Sequence, residues 1–123
     1  MATVVKPKAP EVNFEIAHGD TLEYAFSWSD SDGVALPLSA YTALMQLKLT
    51  KESATSEVEI THLTGVTLTD AKPNISFTVS ATDINSLTIN TPYFYDLQLT
   101  SAGGVITTIL TGTIVPVQDV SRP

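Results

Sequence analysis

Residues 90–118, NTPYFYDLQLTSAGGVITTILTGTIVPVQ, decide the fold. Tyr93, Tyr95, Leu97 and Leu99 alternate with Phe94, Asp96, Gln98 and Thr100, and Ser101-Ala102-Gly103-Gly104 then interrupts. Beyond it Val105, Thr107, Ile109 and Thr111 alternate with Ile106, Thr108, Leu110 and Gly112. Two period-two runs rich in aromatic and β-branched residues, joined by four small residues, spell a β-hairpin. Its second arm continues through Ile114, Val115 and Val117, longer than one ordinary strand. Two courses are open to that extension, interrupted by Pro116: a strand offered to a neighbour, or a switch of sheet at Gly112.

Immediately upstream, Ser80-Ala-Thr-Asp83-Ile-Asn-Ser-Leu87 breaks the β pattern. Ser80 three residues before Asp83 resembles a capping box, which predicts one helical turn near 81–87 carrying Ile84 and Leu87 onto the core. A turn placed there crosses between two sheets just before the strand with Tyr93 and Tyr95, as at the bottom of an immunoglobulin-like sandwich, and makes Tyr93 the expected tyrosine corner. Further back, Ile75, Phe77 and Val79 alternate after an Asp70-Ala-Lys-Pro73-Asn74 turn, Val66-Thr-Leu-Thr is a short repeat, and Glu57 to Leu63 reads as an edge strand with charges at alternate positions. Tyr41 to Thr50 can be written as a helix or a strand. Period decides for strand, since Tyr41, Ala43, Met45, Leu47 and Leu49 are apolar without a break and only Leu44 violates the alternation. Thr21 to Ser29 aligns Leu22, Tyr24, Phe26 and Trp28 on one face, and Val12, Phe14 and Ile16 mark a first strand that Gly19 and Asp20 turn.

These pieces predict an all-β domain: a two-sheet antiparallel immunoglobulin-like sandwich of about seven strands. A closed barrel is the second choice. The expected divisions are an extended arm over residues 1–11, the sandwich over 12–118 and a tail over 119–123. Pro7 and Pro10 lack a ladder donor and favour extended backbone in the arm. It reads either as a frayed terminus or as an element that docks on a partner.

The chain has 123 residues, enough for one domain with a real core, and no cysteine, so thiolate metal sites and disulfides are excluded. Folding without staples fits a reducing cytosol. Thirteen acidic residues against six Lys+Arg give a net charge of −7, which argues against nucleic-acid partners, because such binding is built on clustered cations. No signal-peptide pattern opens the sequence and no run approaches the ~20 apolar residues of a membrane helix, so a soluble protein is expected.

Little here points to chemistry. His18 and His62 stand far apart, each without a second ligand at i+4, so no metal is expected. Asp30, Asp32 and Gly33 echo part of a calcium loop, but its closing position falls on Tyr41, leaving a turn. No nucleophile elbow occurs, and Gly103-Gly104 is followed by no Lys-Ser/Thr of a phosphate loop. Asp96 is the one residue with two readings: a catalytic acid, or a carboxylate that accepts local hydrogen bonds or faces solvent. With no partner carboxylate or histidine near it in sequence, the structural reading prevails. No catalytic residue and no cofactor is expected.

Several pieces together carry a resemblance: Phe14-Glu-Ile…Gly19-Asp20-Thr21, Trp28-x-Asp30-x-Asp32-Gly33, Leu38 to Lys48, Ile75-x-Phe77-x-Val79-Ser-Ala, Tyr95-Asp-Leu-Gln-Leu…Gly104 and Val120-Ser-Arg122. In this order they resemble a family of small tailed-bacteriophage virion proteins. The Gly-Asp-Thr and Asp-x-Asp-Gly…Leu opening is similar to the N-terminal immunoglobulin-like domain of phage baseplate upper proteins. The resemblance spans residues 12–122. It implies a non-enzymatic structural component of the virion, assembled in the host cytoplasm as a multi-copy ring or symmetric homo-oligomer, with other phage structural proteins as partners and neither nucleic acid nor membrane. Baseplate upper proteins continue into a long C-terminal region whereas this sequence ends at Pro123, so the implied role is a stand-alone tail, baseplate or fibre-attachment adaptor. The alternatives are a capsid decoration protein, or a glycan-binding module using Tyr24, Phe26 and Trp28 if their face is exposed. Partner docking is expected at Lys6, Pro7, Lys8 and Pro10 in the arm and at Val117, Val120 and Arg122 toward the tail.

Overall fold

The computed structural model describes residues 10–30 and 32–118, within which eight strands and one short helix follow one another. They are β1 (Phe14–Ala17), β2 (Leu22–Phe26), β3 (Thr42–Lys48), β4 (Val58–Thr61), β5 (Val66–Leu68), β6 (Ile75–Val79), α1 (Ala81–Asn85), β7 (Tyr93–Thr100) and β8 (Ile106–Val117). Two sheets result, one ordered β1-β8-β7-β3-β4 and one ordered β2-β6-β5. The chain is an all-β sandwich. Pairing is antiparallel throughout except that β1 runs parallel to β8.

The alternation read from the sequence is what fills the space between the sheets. Ala43, Met45 and Leu47 of β3 and Tyr93, Tyr95, Leu97 and Leu99 of β7 point inward, and Ile75, Phe77 and Val79 of β6 meet them from the other side. Leu44 falls on the opposite face, so the strand reading of 42–48 holds despite it. The hairpin closes at Ser101, whose amide donates to the Val105 carbonyl and whose hydroxyl accepts from the Val105 amide. Within the hairpin Leu97 pairs with Leu110 but Gln98 pairs with Thr108, leaving Ile109 as an inserted residue. This bulge reverses the phase of β8, which is how the successive Ile109 and Leu110 are both buried.

Beyond Gly112, β8 neither leaves the sandwich nor changes sheet. It stays between β7, paired as far as Ile114, and β1, whose Phe14–Ala17 matches Ile114–Val117. Pairing on this side begins earlier still, with the Thr111 amide donating to the Pro10 carbonyl and the Val12 amide to the Thr111 carbonyl. Gly112 makes the approach feasible, because a Cβ there would land on the Val12 carbonyl. That carbonyl accepts from the Tyr95 hydroxyl at 2.7 Å, and Asn13 Oδ1 accepts from the Thr113 amide at 3.0 Å.

α1 joins the two sheets as expected. Ser80 is its N-cap, with its side chain accepting from the Asp83 amide, and Ile84 and Leu87 are buried beneath it. Tyr93 supplies the corner contact: its hydroxyl accepts from the Thr88 amide, five residues upstream, at 2.8 Å. Tyr95, the other tyrosine of that strand, is committed to Val12 instead.

Candidate functional site

The outward face of the five-stranded sheet carries the one feature that sequence reading held open for chemistry. Gln46 of β3, Asp96 of β7 and Thr111 of β8 lie in register across three strands. Around them Leu44, Lys48, Phe94 and Gln98 on the same face, and Lys51 from the following loop, form an open depression of about 280 Å³. Leu44, the lone break in the alternation of β3, is therefore a marker of this face.

Electrostatics at the centre are those of a half-buried acid. Desolvation pushes the Asp96 carboxyl above the ordinary aspartate range, and the Lys48 ammonium draws it back part of the way. Several of the groups beside it are engaged with other partners. Gln46 donates its amide to Glu59 at 3.0 Å, the Thr111 hydroxyl donates to the Tyr95 carbonyl at 3.2 Å, and Lys51 sits 5.3 Å above the Phe94 ring. General acid–base work on a glycoside or acyl group calls for a second carboxylate, a histidine or a nucleophile within reach. Across the strands Asp96 meets an amide and a hydroxyl instead.

The remaining candidates are dispersed and bound into the scaffold. His18 Nε2 donates to the Leu87 carbonyl at 2.9 Å, tying the β1–β2 turn to the second residue beyond α1. His62 Nδ1 accepts from the Ala43 amide at the edge of β3. Asp30 closes its turn, one carboxylate oxygen accepting from the Asp32 and Val34 amides, while Gly33 takes positive φ. Among the described residues, no three His, Asp or Glu groups converge as a metal site would require. Among the described residues, no helix is long and apolar enough to cross a membrane.

Tyr24, Phe26 and Trp28 face inward, packed against the core and half-buried. Phe14 meets Tyr24 edge-on at 5.1 Å, Tyr24 lies 5.7 Å from Phe26, and Trp28 meets Tyr41 edge-on at 6.2 Å. They are not a platform on the outer surface. Of the expected docking residues, Pro10 is exposed with its carbonyl bonded to Thr111, and the Val117 carbonyl accepts from the His18 amide. Lys6, Pro7, Lys8, Val120 and Arg122 lie outside the described residues.

Sequence reading missed Asn74, taken as an ordinary turn residue. It is fully buried at the start of β6, its Oδ1 accepting from the Trp28 amide and its Nδ2 donating to the Trp28 and Leu36 carbonyls. The only available signal was its place between Pro73 and a strand, where an amide that imitates a peptide group can substitute for a missing ladder partner. No protein-family model and no curated protein matches the sequence.

Proposed function

We propose that this chain is a non-enzymatic structural component of a tailed-bacteriophage virion, an adaptor in the tail, baseplate or fibre attachment, built on an immunoglobulin-like sandwich. The strand order supports the immunoglobulin-like frame, and the virion role rests on the motifs that carry the resemblance. β2, β6 and β5 take the places of strands B, E and D of an immunoglobulin sheet, and β3, β7 and β8 those of C, F and G. β4 extends the second sheet beside β3, and β1 joins it at the opposite edge. The capped helical turn between β6 and β7 and the Tyr93 contact support the same topology.

Of the motifs that carry the resemblance, Gly19-Asp20-Thr21 lies between β1 and β2, Asp30 and Gly33 follow β2, and Tyr95-Asp96-Leu97 lies in a central strand. A half-buried carboxylate whose in-register cross-strand neighbours are an amide and a hydroxyl favours a structural role over catalysis. Inward packing of Tyr24, Phe26 and Trp28 weighs against a glycan platform on that strand. In this reading several copies assemble symmetrically, with residues 1–11 as the docking arm.

Mass spectrometry and electron cryo-microscopy of purified virions of the encoding phage test it. The chain is expected in the particle at a threefold or sixfold multiplicity per tail. On the order of hundreds of copies on the head would make it a decoration protein instead, and absence from the particle overturns the reading. Unchanged incorporation after deletion of residues 1–11 refutes the docking arm.

A further inference from the structure

β1 and β2 are joined by a tight turn yet pair in different sheets, β1 with β8 and β2 with β6. Among the described residues this leaves β2 as an edge. At five residues it is longer than the other three edge strands, β1 and β4 with four and β5 with three. It contains neither lysine nor proline, the usual guards of an open edge. The direction of its free groups follows from its neighbour. The Thr78 amide of β6 donates to the Gly65 carbonyl, so Thr78 directs its main-chain groups toward β5. Glu23 lies opposite Thr78 and Ala25 opposite Ser76. In an antiparallel ladder these alternate residues therefore aim their N–H and C=O groups away from β6, at the open side.

The surroundings of that side suit a strand. Phe14, Tyr24 and Phe26 form a half-buried aromatic seam between β1 and β2, and Glu15 and Glu23 are exposed on the two strands. On the outer face, small Ala25 and Ser76 form the floor of a shallow trough.

We propose that the open edge of β2 accepts residues 1–9 of a second copy of this chain as an added strand. The inference rests on the reading of residues 1–11 as a docking arm and names its receptor. In the sequence, Ala2-Thr-Val-Val-Lys6 gives five residues before Pro7 ends any ladder, the same length as β2. A strand added there with Val5 toward the aromatic seam would, by the period of two, set Val4 and Lys6 on the side of Ala25, Ser76 and Glu23. Two of the six cations of an acidic chain, Lys6 and Lys8, fall in residues 1–9, and Lys6 is the one within the five-residue stretch that would meet the Glu23 edge.

Sedimentation velocity on the full chain, over a range of concentration and salt, tests the proposal. Association that weakens as salt rises is expected. Ala25→Pro removes an outward donor that the β2–β6 ladder does not use, and it should weaken association by about tenfold or more. Glu23→Lys should weaken it too, and Glu23→Lys combined with Lys6→Glu should restore it, which keeps the test decisive if the proline variant fails to fold. A chain that stays monomeric, or a charge swap that restores nothing, overturns the proposal. If removal of residues 1–9 abolishes association while folded Ala25→Pro associates normally, the arm reading stands and β2 is not its receptor. If removal of residues 1–9 changes nothing, both fall.

Discussion

Replacing Asn74 is expected to cost far more than its place in a turn suggests. Its side chain is fully buried and joins three segments: the start of β6, the residue Trp28 beyond β2, and Leu36 in the connection to β3. Alanine removes all three hydrogen bonds. The Trp28 carbonyl keeps a partner, because the Leu36 amide also donates to it at 3.0 Å. The Trp28 amide and the Leu36 carbonyl lose theirs, and an orphaned buried group costs roughly 1–3 kcal/mol. Asn74→Ala should therefore lose about 2–4 kcal/mol, allowing for partial access of water to the part-buried loop.

Urea titration followed by fluorescence reads this directly, since Trp28 is the only tryptophan and lies at the perturbed contact. The midpoint should fall with the slope unchanged. Asn74→Asp sharpens the test. It keeps the acceptor for the Trp28 amide but sets a carboxylate against two carbonyl oxygens in a buried site, where desolvation raises its folded pKa above the unfolded one. A raised folded pKa favours the folded state at low pH, where the acid is protonated and can donate to one carbonyl, and that contribution is lost as pH rises. The aspartate variant should thus be weaker than the alanine variant at neutral pH and recover on acidification. A loss below about 1 kcal/mol for Asn74→Ala, or an aspartate variant more stable than the alanine one at neutral pH, would falsify the account.

Two further outcomes follow from the large sheet. Gly112→Ala puts a methyl onto the Val12 main chain, which cannot rotate aside, so about 2–3 kcal/mol should be lost. Hydrogen exchange should then quicken at the Val12 and Thr111 amides first. Asp96→Asn should raise the melting temperature near neutral pH, because the carboxylate is ionised there against its desolvation. That gain should vanish below the ordinary aspartate range, where the native acid is already protonated, and a pH-independent shift in melting temperature would contradict it.

The strands were legible because one face of each is buried, and burial writes a period of two into the residues that supply it. Met45, Leu97 and Phe77 could be assigned to the core from sequence alone for that reason. Ser80 and Tyr93 were legible through local chemistry, a cap and a corner whose partners lie within five residues. What escaped depends on contacts remote in sequence. The bulge at Ile109 is a shift between two strands, and the run ITTILTG is compatible with either phase. Asn74 reaches back 46 residues to Trp28. The pairing of β1 with β8 joins opposite ends of the described chain, and only the glycine at 112 hinted at a close approach. The Asp96 face was legible as residues but not as a site, since its depression exists only once β3, β7 and β8 stand side by side.

That terminal pairing sets how the domain bears a load. Because β1 and β8 run parallel, tension entering at residue 10 and leaving at residue 118 pulls them lengthwise in opposite senses. The bonds from Thr111 to Pro10, Val12 to Thr111 and His18 to Val117 lie across that direction and are strained together. An antiparallel terminal pair opened from one end would release its bonds one at a time. The domain is thus arranged as a shear clamp, whose resistance to extension is governed by its unfolding rate under force, a quantity separate from its equilibrium stability.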